Sequence, residues 1–308
     1  MSLKVLKEIL HLIFMKTNNL PDFFILGVQK AATSSIHKIL KQDYRISLPY
    51  QKETHFFSHN FDKKIEWYIN QFKNKKKYIV RGEVDPSYIF FKKSAINIKK
   101  YIKNPKFVLV LRKPIERAFS HYLMSKSRGY EKESFFDALE LEEKRLKSSS
   151  SFFLSHYSYL KRGNYYQQII DFKNIFPKSK FLFLKYEDFK NIKKQRKFIS
   201  MIYDFLNLKM QNNLNFSIHE NKSGLMRFEF VRDLTHTDNN IRNFIKNLIP
   251  SEYIRFKILT FINNLNKMNG DKEKLNYRLL KIKYIKWNNE QTDLLSKICD
   301  LDVNDWKI

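Results

Sequence analysis

Lys30 lies in Gly27-Val28-Gln29-Lys30-Ala31-Ala32-Thr33-Ser34-Ser35, after a short apolar run and before Ile36, Ile39 and Leu40 at helical spacing. A turn leading from a strand into a helix aims free backbone N–H groups at one place, where the helix dipole favours negative charge. Lys30 adds a full positive charge and the Thr33 and Ser34 hydroxyls add donors, so the guest suited to this chemistry is a phosphate or sulfate. Taken alone, the stretch also reads as an ordinary strand-to-helix turn with a surface lysine. Lys52-Glu53-Thr54-His55-Phe56-Phe57 sets a cation, a carboxylate and an imidazole within four residues, beside two aromatic rings. Glu53 and His55 are groups able to move a proton. Arg112-Lys113-Pro114 follows the clearest apolar run of the chain, 106–111. Pro114 suits the first turn of a helix. Arg112, Glu116 and Ser120 share a helical face if the helical phase reaches back to Arg112.

Several other chemistries do not fit. The nucleotide loop of kinases and ATPases needs Gly-x-x-x-x-Gly-Lys-Ser/Thr, whereas Lys30 comes three residues after Gly27 and three before Thr33. Gly27 and Gly82 form no Gly-x-Gly-x-x-Gly, and no Gly-x-Ser-x-Gly elbow is present. His11, His37 and His55 lack zinc-ligand spacing. No metal site is expected.

The elements that must carry these residues alternate. Strands are expected over 23–28, 78–84, 106–111 and 180–184, and helices over 62–72, 94–102, 134–147, 157–176 (broken near Gly163) and 195–206. Alternation of this kind predicts an α/β fold, a parallel sheet of about four to five strands flanked by helices. Ligands bind such sheets at the carboxyl ends of the strands, where Lys30, Glu83 and Arg112 are expected to converge. From His219 onward the pattern is helical, over 225–234, 241–248, 251–268 and 289–299. Ile254, Ile258, Phe261, Ile262 and Leu265 form a stripe read as core packing. With no repeat and no Gly/Ser linker, the expectation is a single domain over 1–308. Within it, 1–20 is an amphipathic helix, 21–208 the α/β core and 209–308 a helical region.

The totals are those of a globular chain, with 43% hydrophobic and 16% aromatic residues. Lys+Arg 58 against Asp+Glu 31 leaves +27, a field that attracts polyanions. Lys, Asn, Ile, Phe and Tyr are all abundant, so much of that charge reads as compositional bias spread over the surface. It supports an anionic partner without naming one, and no specific nucleic acid is expected. Cys299 is the only cysteine, so no intrachain disulfide forms, which suits a reducing, cytoplasmic setting. The opening residues are interrupted by Lys4, Lys7, Glu8 and His11. They read as a helix docked on the domain, or else on a membrane surface, and not as a span or a signal peptide.

Taken together, the motifs resemble those of sulfotransferases that use 3′-phosphoadenosine 5′-phosphosulfate (PAPS). The Gly27 to Ser35 stretch is similar to their 5′-phosphosulfate loop, and Arg112 to Tyr122 to their 3′-phosphate motif, with Arg and Ser eight apart. The Lys52 to Phe57 stretch resembles a block of the heparan sulfate and bacterial carbohydrate branch. Gly82-Glu83-Val84-Asp85-Pro86-Ser87-Tyr88 and Arg162-Gly163-Asn164-Tyr165 also sit where that family has similar blocks. The resemblance covers roughly 22–208, with a weaker echo to Trp306. It implies a P-loop-like fold, PAPS as co-substrate and 3′-phosphoadenosine 5′-phosphate (PAP) as product, without a metal. Lys30, Ala31, Ala32, Thr33, Ser34 and Ser35 would hold the 5′ end of the nucleotide, with Arg112 and Ser120 on the 3′-phosphate and Lys222 in a closing loop. Lys30 would also stabilise the transferring group. Glu53 would be the general base, with His55 as runner-up, and the acceptor a carbohydrate-type hydroxyl or amine. The alternative is a relic of the same fold that binds nucleotide or anionic glycan without catalysis. Two positions depart from the pattern. Ala32 stands where glycine is usual, implying either a negative φ there or a weaker hold on PAPS. Val84 stands where the heparan sulfate enzymes commonly have lysine.

Overall fold

The computed structural model describes residues 19–72, 78–148, 150–216, 252–265 and 273–308. The expected helix within 1–20, the helices over 225–234 and 241–248, and Lys222 lie outside the described residues, except that 19 and 20 form a turn. The chain gathers into two compact units. The first comprises Met1–Arg112, Asn164–Glu220 and Gln291–Trp306, and the second Lys113–Gly163, Asn221–Glu290 and Lys307–Ile308.

The first unit is built on a five-stranded sheet: β1 (Phe23–Gly27), β2 (Ile46–Ser47), β3 (Val80–Val84), β4 (Lys106–Leu111) and β5 (Phe181–Lys185). Their order is β2-β3-β1-β4-β5, and every pairing is parallel. β1 sits at the centre with all five residues buried, the mark of a strand covered on both faces. The expected α/β sheet is therefore present, with β2 as the strand added to the four expected. Two residues are too few to show an alternation in the sequence. Gly82 pairs with Phe23 across the sheet, and a Cβ on Gly82 would overlap the Phe23 ring. Glycine is what lets that ring lie flat against β3.

Helices connect the strands in the first unit: α1 (Thr33–Lys41), α2 (Lys64–Ile69), α3 (Lys92–Tyr101), then, after the second unit's insertion, Tyr165–Ile175, Tyr186–Lys190 and Ile192–Phe205. Phe24, Phe57, Phe107, Phe172, Phe176 and Trp306 are among the buried side chains of this core. Cys299 is buried in it, and burial pushes its thiol up to about 12.

The second unit has a separate core. Ile115, Ala118, Phe119 and Tyr122 of the helix Pro114–Ser127 meet Phe135, Ala138 and Leu139 of Phe135–Leu146, with Tyr159, Leu280 and Tyr284. Ser134 caps the latter helix by accepting from the Asp137 N–H at 3.3 Å. Glu142, buried, accepts the N–H groups of Leu160 (2.7 Å) and Lys161 (2.8 Å) at the break the sequence marks with Gly163. One expectation fails here. Of the expected core stripe in Glu252–Leu265, Ile254, Ile258, Phe261 and Leu265 are exposed and Ile262 is half-buried. Helical period decides which residues share a face, while what covers the face is decided by the rest of the fold. No described helix is long and apolar enough to cross a membrane.

Candidate active site

The turn after β1 is built by backbone conformations that few residues adopt. Gly27 has φ +130°, and a Cβ there would sit 3.2 Å from Pro86, so this position needs glycine on both counts. Lys30 (φ +74°) and Ala32 (φ +58°, ψ +15°) are both left-handed. The turn folds back on itself, with the Ala31 N–H donating to the Val28 carbonyl at 3.1 Å. α1 then starts at Thr33, with its first i→i−4 bond from the Ile36 N–H to the Ala32 carbonyl, 3.1 Å.

The cap is Ala32, whose methyl group cannot cap, and the Thr33, Ser34 and Ser35 hydroxyls lie inside the helix. This geometry corrects two details of the sequence reading. The Ala31 N–H is committed within the turn. The donors left by helix geometry at the mouth of α1 are those of its opening residues, Thr33 and Ser34 foremost. Finally, φ at Ala32 is positive, which removes the first of the two explanations for alanine at this position. A left-handed non-glycine residue costs about 1–2 kcal/mol.

Arg112 follows β4 and is turned toward this loop. Its Nη1 donates to the Lys30 carbonyl at 3.0 Å, and its guanidinium lies over the Tyr186 ring, 4.6 Å to the centroid. The Tyr165 hydroxyl donates to the Arg112 carbonyl at 2.9 Å, holding the strand end in place. The helical phase does not reach back to Arg112, because Lys113 is extended (ψ 121°) and the helix begins at Pro114. Ser120, half-buried, belongs to that helix and to the second unit.

The third group lies in the loop after β2. Glu53 (φ +63°) and His55 (φ +52°) are both left-handed, so the segment is not a strand. Lys52 and Glu53 form a close ion pair, and the His55 Nε2 stands 4.0 Å from the Glu53 Oε2. Thr54, between them, is buried against Glu83. The Glu83 Oε1 accepts the Thr54 N–H (3.0 Å) and hydroxyl (2.6 Å), and its Oε2 accepts the hydroxyls of Tyr68 (2.7 Å) and Tyr88 (3.0 Å). Burial, then the charge of Asp85, push the Glu83 carboxyl up to about 7 despite these donors. Glu83 is thus not at the strand end with Lys30 and Arg112. It lies within β3 in the core, and the carboxylate just past the strand is Asp85. That residue accepts from the His55 N–H (2.9 Å) and lies 2.8 Å from its Nδ1. Pro86 follows and packs on Gly27, which brings this cluster to the foot of the Lys30 turn. On α1, buried His37 is held down to about 3 by burial and by Lys52, Lys41 and Lys38.

Lys30, Arg112, Glu53 and His55 thus all belong to the first unit, at one end of its sheet. Sequence reasoning missed Asp85, Tyr186 and the tyrosine pair on Glu83. Only Asp85 left a signal, as an acid directly before proline at a strand end. Among the described residues there is no group of three or more His, Cys, Asp or Glu side chains able to hold a metal ion.

Comparison with known proteins agrees. The chain is 25% identical over 193 residues to mouse heparan sulfate glucosamine 3-O-sulfotransferase 3B1, covering 63% of this chain and 47% of that protein. It is 31% identical over 109 residues to the membrane-associated sulfotransferase kil1 of Dictyostelium discoideum, covering 34% of this chain and 23% of that protein. The chain thus spans about half or less of these relatives. The crystal structure of a sulfotransferase from Alicyclobacillus acidocaldarius shares the fold, with TM-score 0.56 and 24% identity over 70% of this chain and 90% of that one. The sulfotransferase domain profile matches residues 20–255. Because that match runs through both units and most of the chain, the chain belongs to the sulfotransferase domain family.

Proposed function

We propose that the protein is a PAPS-dependent sulfotransferase that moves the sulfuryl group to a hydroxyl or amine of a carbohydrate-type acceptor. The observation carrying this reading is the 3.0 Å bond from Arg112 to the Lys30 carbonyl. It joins two cationic motifs far apart in sequence into one anion-binding region, as a nucleotide with separate 5′ and 3′ phosphates requires. The region fits such a guest: a helix mouth with open N–H groups, a lysine in the turn, and an arginine fixed by the Tyr186 ring. Lys30 and the N–H groups of Ala32, Thr33 and Ser34 hold the 5′-phosphosulfate. Arg112 holds the 3′-phosphate, and Ser35, Ser120 and Lys222 are nucleotide ligands by the family resemblance of their own segments. PAPS supplies an activated sulfuryl group on a phosphate leaving group. The protein's task is then to position it and to neutralise developing charge.

Glu53 is the general base, half-exposed beside Lys52 and His55. The carbohydrate acceptor is supported by the named activity of the mouse relative, and an anionic glycan by the +27 charge. We read the two units as parts of one sulfotransferase domain, since the family match spans both. We place it in the cytoplasm because its one cysteine suits a reducing compartment.

The test is transfer of labelled sulfate from PAPS to a panel of glycans, with thermal stabilisation by PAP in the absence of Mg²⁺. PAP should stabilise well beyond ADP, and equal shifts with the two nucleotides would defeat the reading. Glu53→Gln should keep PAP binding and lose turnover by about 100-fold or more. Wild-type turnover would remove Glu53 from the mechanism.

A further inference from the structure

The proton taken from the acceptor has more than one place to go. Asp85 is fully buried just past β3, and three contacts converge on its carboxylate. Its Oδ1 accepts the Ser87 N–H at 2.9 Å, while its Oδ2 accepts the His55 N–H at 2.9 Å and lies 2.8 Å from the His55 Nδ1. The backbone donors alone would suffice to pin the loop. The Nδ1 contact goes further: the carboxylate charge 2.8 Å away favours a proton on Nδ1, and a neutral ring protonated there carries its lone pair on Nε2. That atom is the one facing Glu53, 4.0 Å from its Oε2. The His59 ring stands edge-on to His55, 5.7 Å between centroids, and is itself backed by Phe91 at 4.6 Å. His55 also keeps a left-handed backbone (φ +52°), a conformation that persists only where its surroundings over-determine it.

We propose that Asp85 is a positioning residue for His55, holding the ring so that Nε2 serves, with Glu53, as the acceptor of the proton released by the substrate. This rests on the sulfotransferase reading. As the acceptor oxygen bonds to sulfur, its proton passes to the Glu53 carboxylate and on to the His55 Nε2. The sulfur–oxygen bond to the nucleotide breaks, and the leaving phosphate takes the bonding electrons. The imidazolium then sits between the carboxylates of Asp85 and Glu53. Its side chain is 35% exposed, which opens a route for the proton to solvent. The charged and titratable groups around the ring are Asp85, Glu83, Glu53, Lys52 and His59. Burial and Lys52 oppose charge on the ring, Asp85 and Glu83 favour it, and the balance raises its pKa.

The experiment follows the imidazole nitrogens by ¹⁵N NMR in the wild type, with His55→Asn to assign the signal, and then in Asp85→Asn. The wild type should show the Nδ1–H tautomer at high pH. Asp85→Asn should lower the His55 titration midpoint by about one pH unit or more, since removing an opposite charge in contact has this effect. The acidic limb of the kcat profile should move down with it. At the plateau kcat should fall about tenfold or more, with PAP affinity unchanged. An Nε2–H tautomer in the wild type overturns the proposal, and so does a variant whose His55 midpoint and acidic limb stay in place. If Asp85→Asn does not fold, the wild-type tautomer decides alone. A wild type that binds no PAP and transfers no sulfate overturns the sulfotransferase reading. A wild type that does both, with an Asp85→Asn acidic limb that does not move, overturns the role of Asp85 only.

Discussion

Replacing Glu83 by glutamine should change how stability depends on pH. The Glu83 carboxylate has no exposed surface, and all four of its hydrogen bonds come from Thr54, Tyr68 and Tyr88. Burial and the neighbouring Asp85 raise its pKa from 4.5 to about 7. Between those values the folded protein keeps a proton that the unfolded chain has released. Stability therefore falls as pH rises through that window and levels off above it. A shift of this size corresponds to about 3 kcal/mol. Glutamine is close to isosteric. Its carbonyl can accept from Thr54 while its amide donates to the two phenol oxygens, which accept as readily as they donate. The variant should resemble the wild type near pH 5 and gain on it by about 3 kcal/mol near pH 8. That is roughly 5 °C or more in midpoint. The assay is thermal or urea denaturation of both proteins across pH 4.5 to 8, read as the difference between them. Taking the difference removes the titrations that are not coupled to Glu83, leaving those of Glu83 with its neighbours Asp85 and His55. His37, held near 3, contributes with the opposite sign, its share rising with pH up to its unfolded value of 6.5. Glu142, raised to about 7 in the second unit, contributes with the same sign as Glu83. Both are common to the two proteins. A difference that is flat with pH, or one that favours glutamic acid at high pH, would refute the account of Glu83.

Gly82→Ala should destabilise by about 3 kcal/mol, because the new methyl overlaps the fully buried Phe23 ring on the central strand; a midpoint within one degree of wild type would mean the ring can move. Ala32→Gly should stabilise by about 1 kcal/mol, as relief of the left-handed strain outweighs the entropy glycine adds to the unfolded chain. PAP affinity should hold or tighten in the same variant, by calorimetry. Arg112→Ala should weaken PAP by about tenfold to a hundredfold, the worth of a charged hydrogen bond. Adenosine 5′-phosphate should weaken less, through loosening of the Lys30 turn that Arg112 supports. Equal losses for the two ligands would place the role of Arg112 in the turn and not on a 3′-phosphate.

The sequence by itself determined the sheet and its cargo. Four apolar runs separated by helical patterns set the strands, and Lys30 and Arg112 were legible because each lies in the turn that follows such a run. Glu53 and His55 were legible as a cluster within four residues. These signals are local: period, turn chemistry and short spacing are written along the chain. What only the tertiary structure decided is which groups meet across it. β2 counts as a strand because β3 lies beside it, since two residues carry no period of their own. Glu83 turned inward to two tyrosines, and Asp85, two residues later and just past the strand, became the partner of His55. The apolar stripe of Glu252–Leu265 had the period of a core helix and is exposed. The left-handed backbone at Ala32, Glu53 and His55 is likewise invisible to propensity, because it is imposed from outside. These outcomes rest on contacts or exposure that the local period does not encode, such as the pairing of Ile46 with Val80 and of His55 with Asp85.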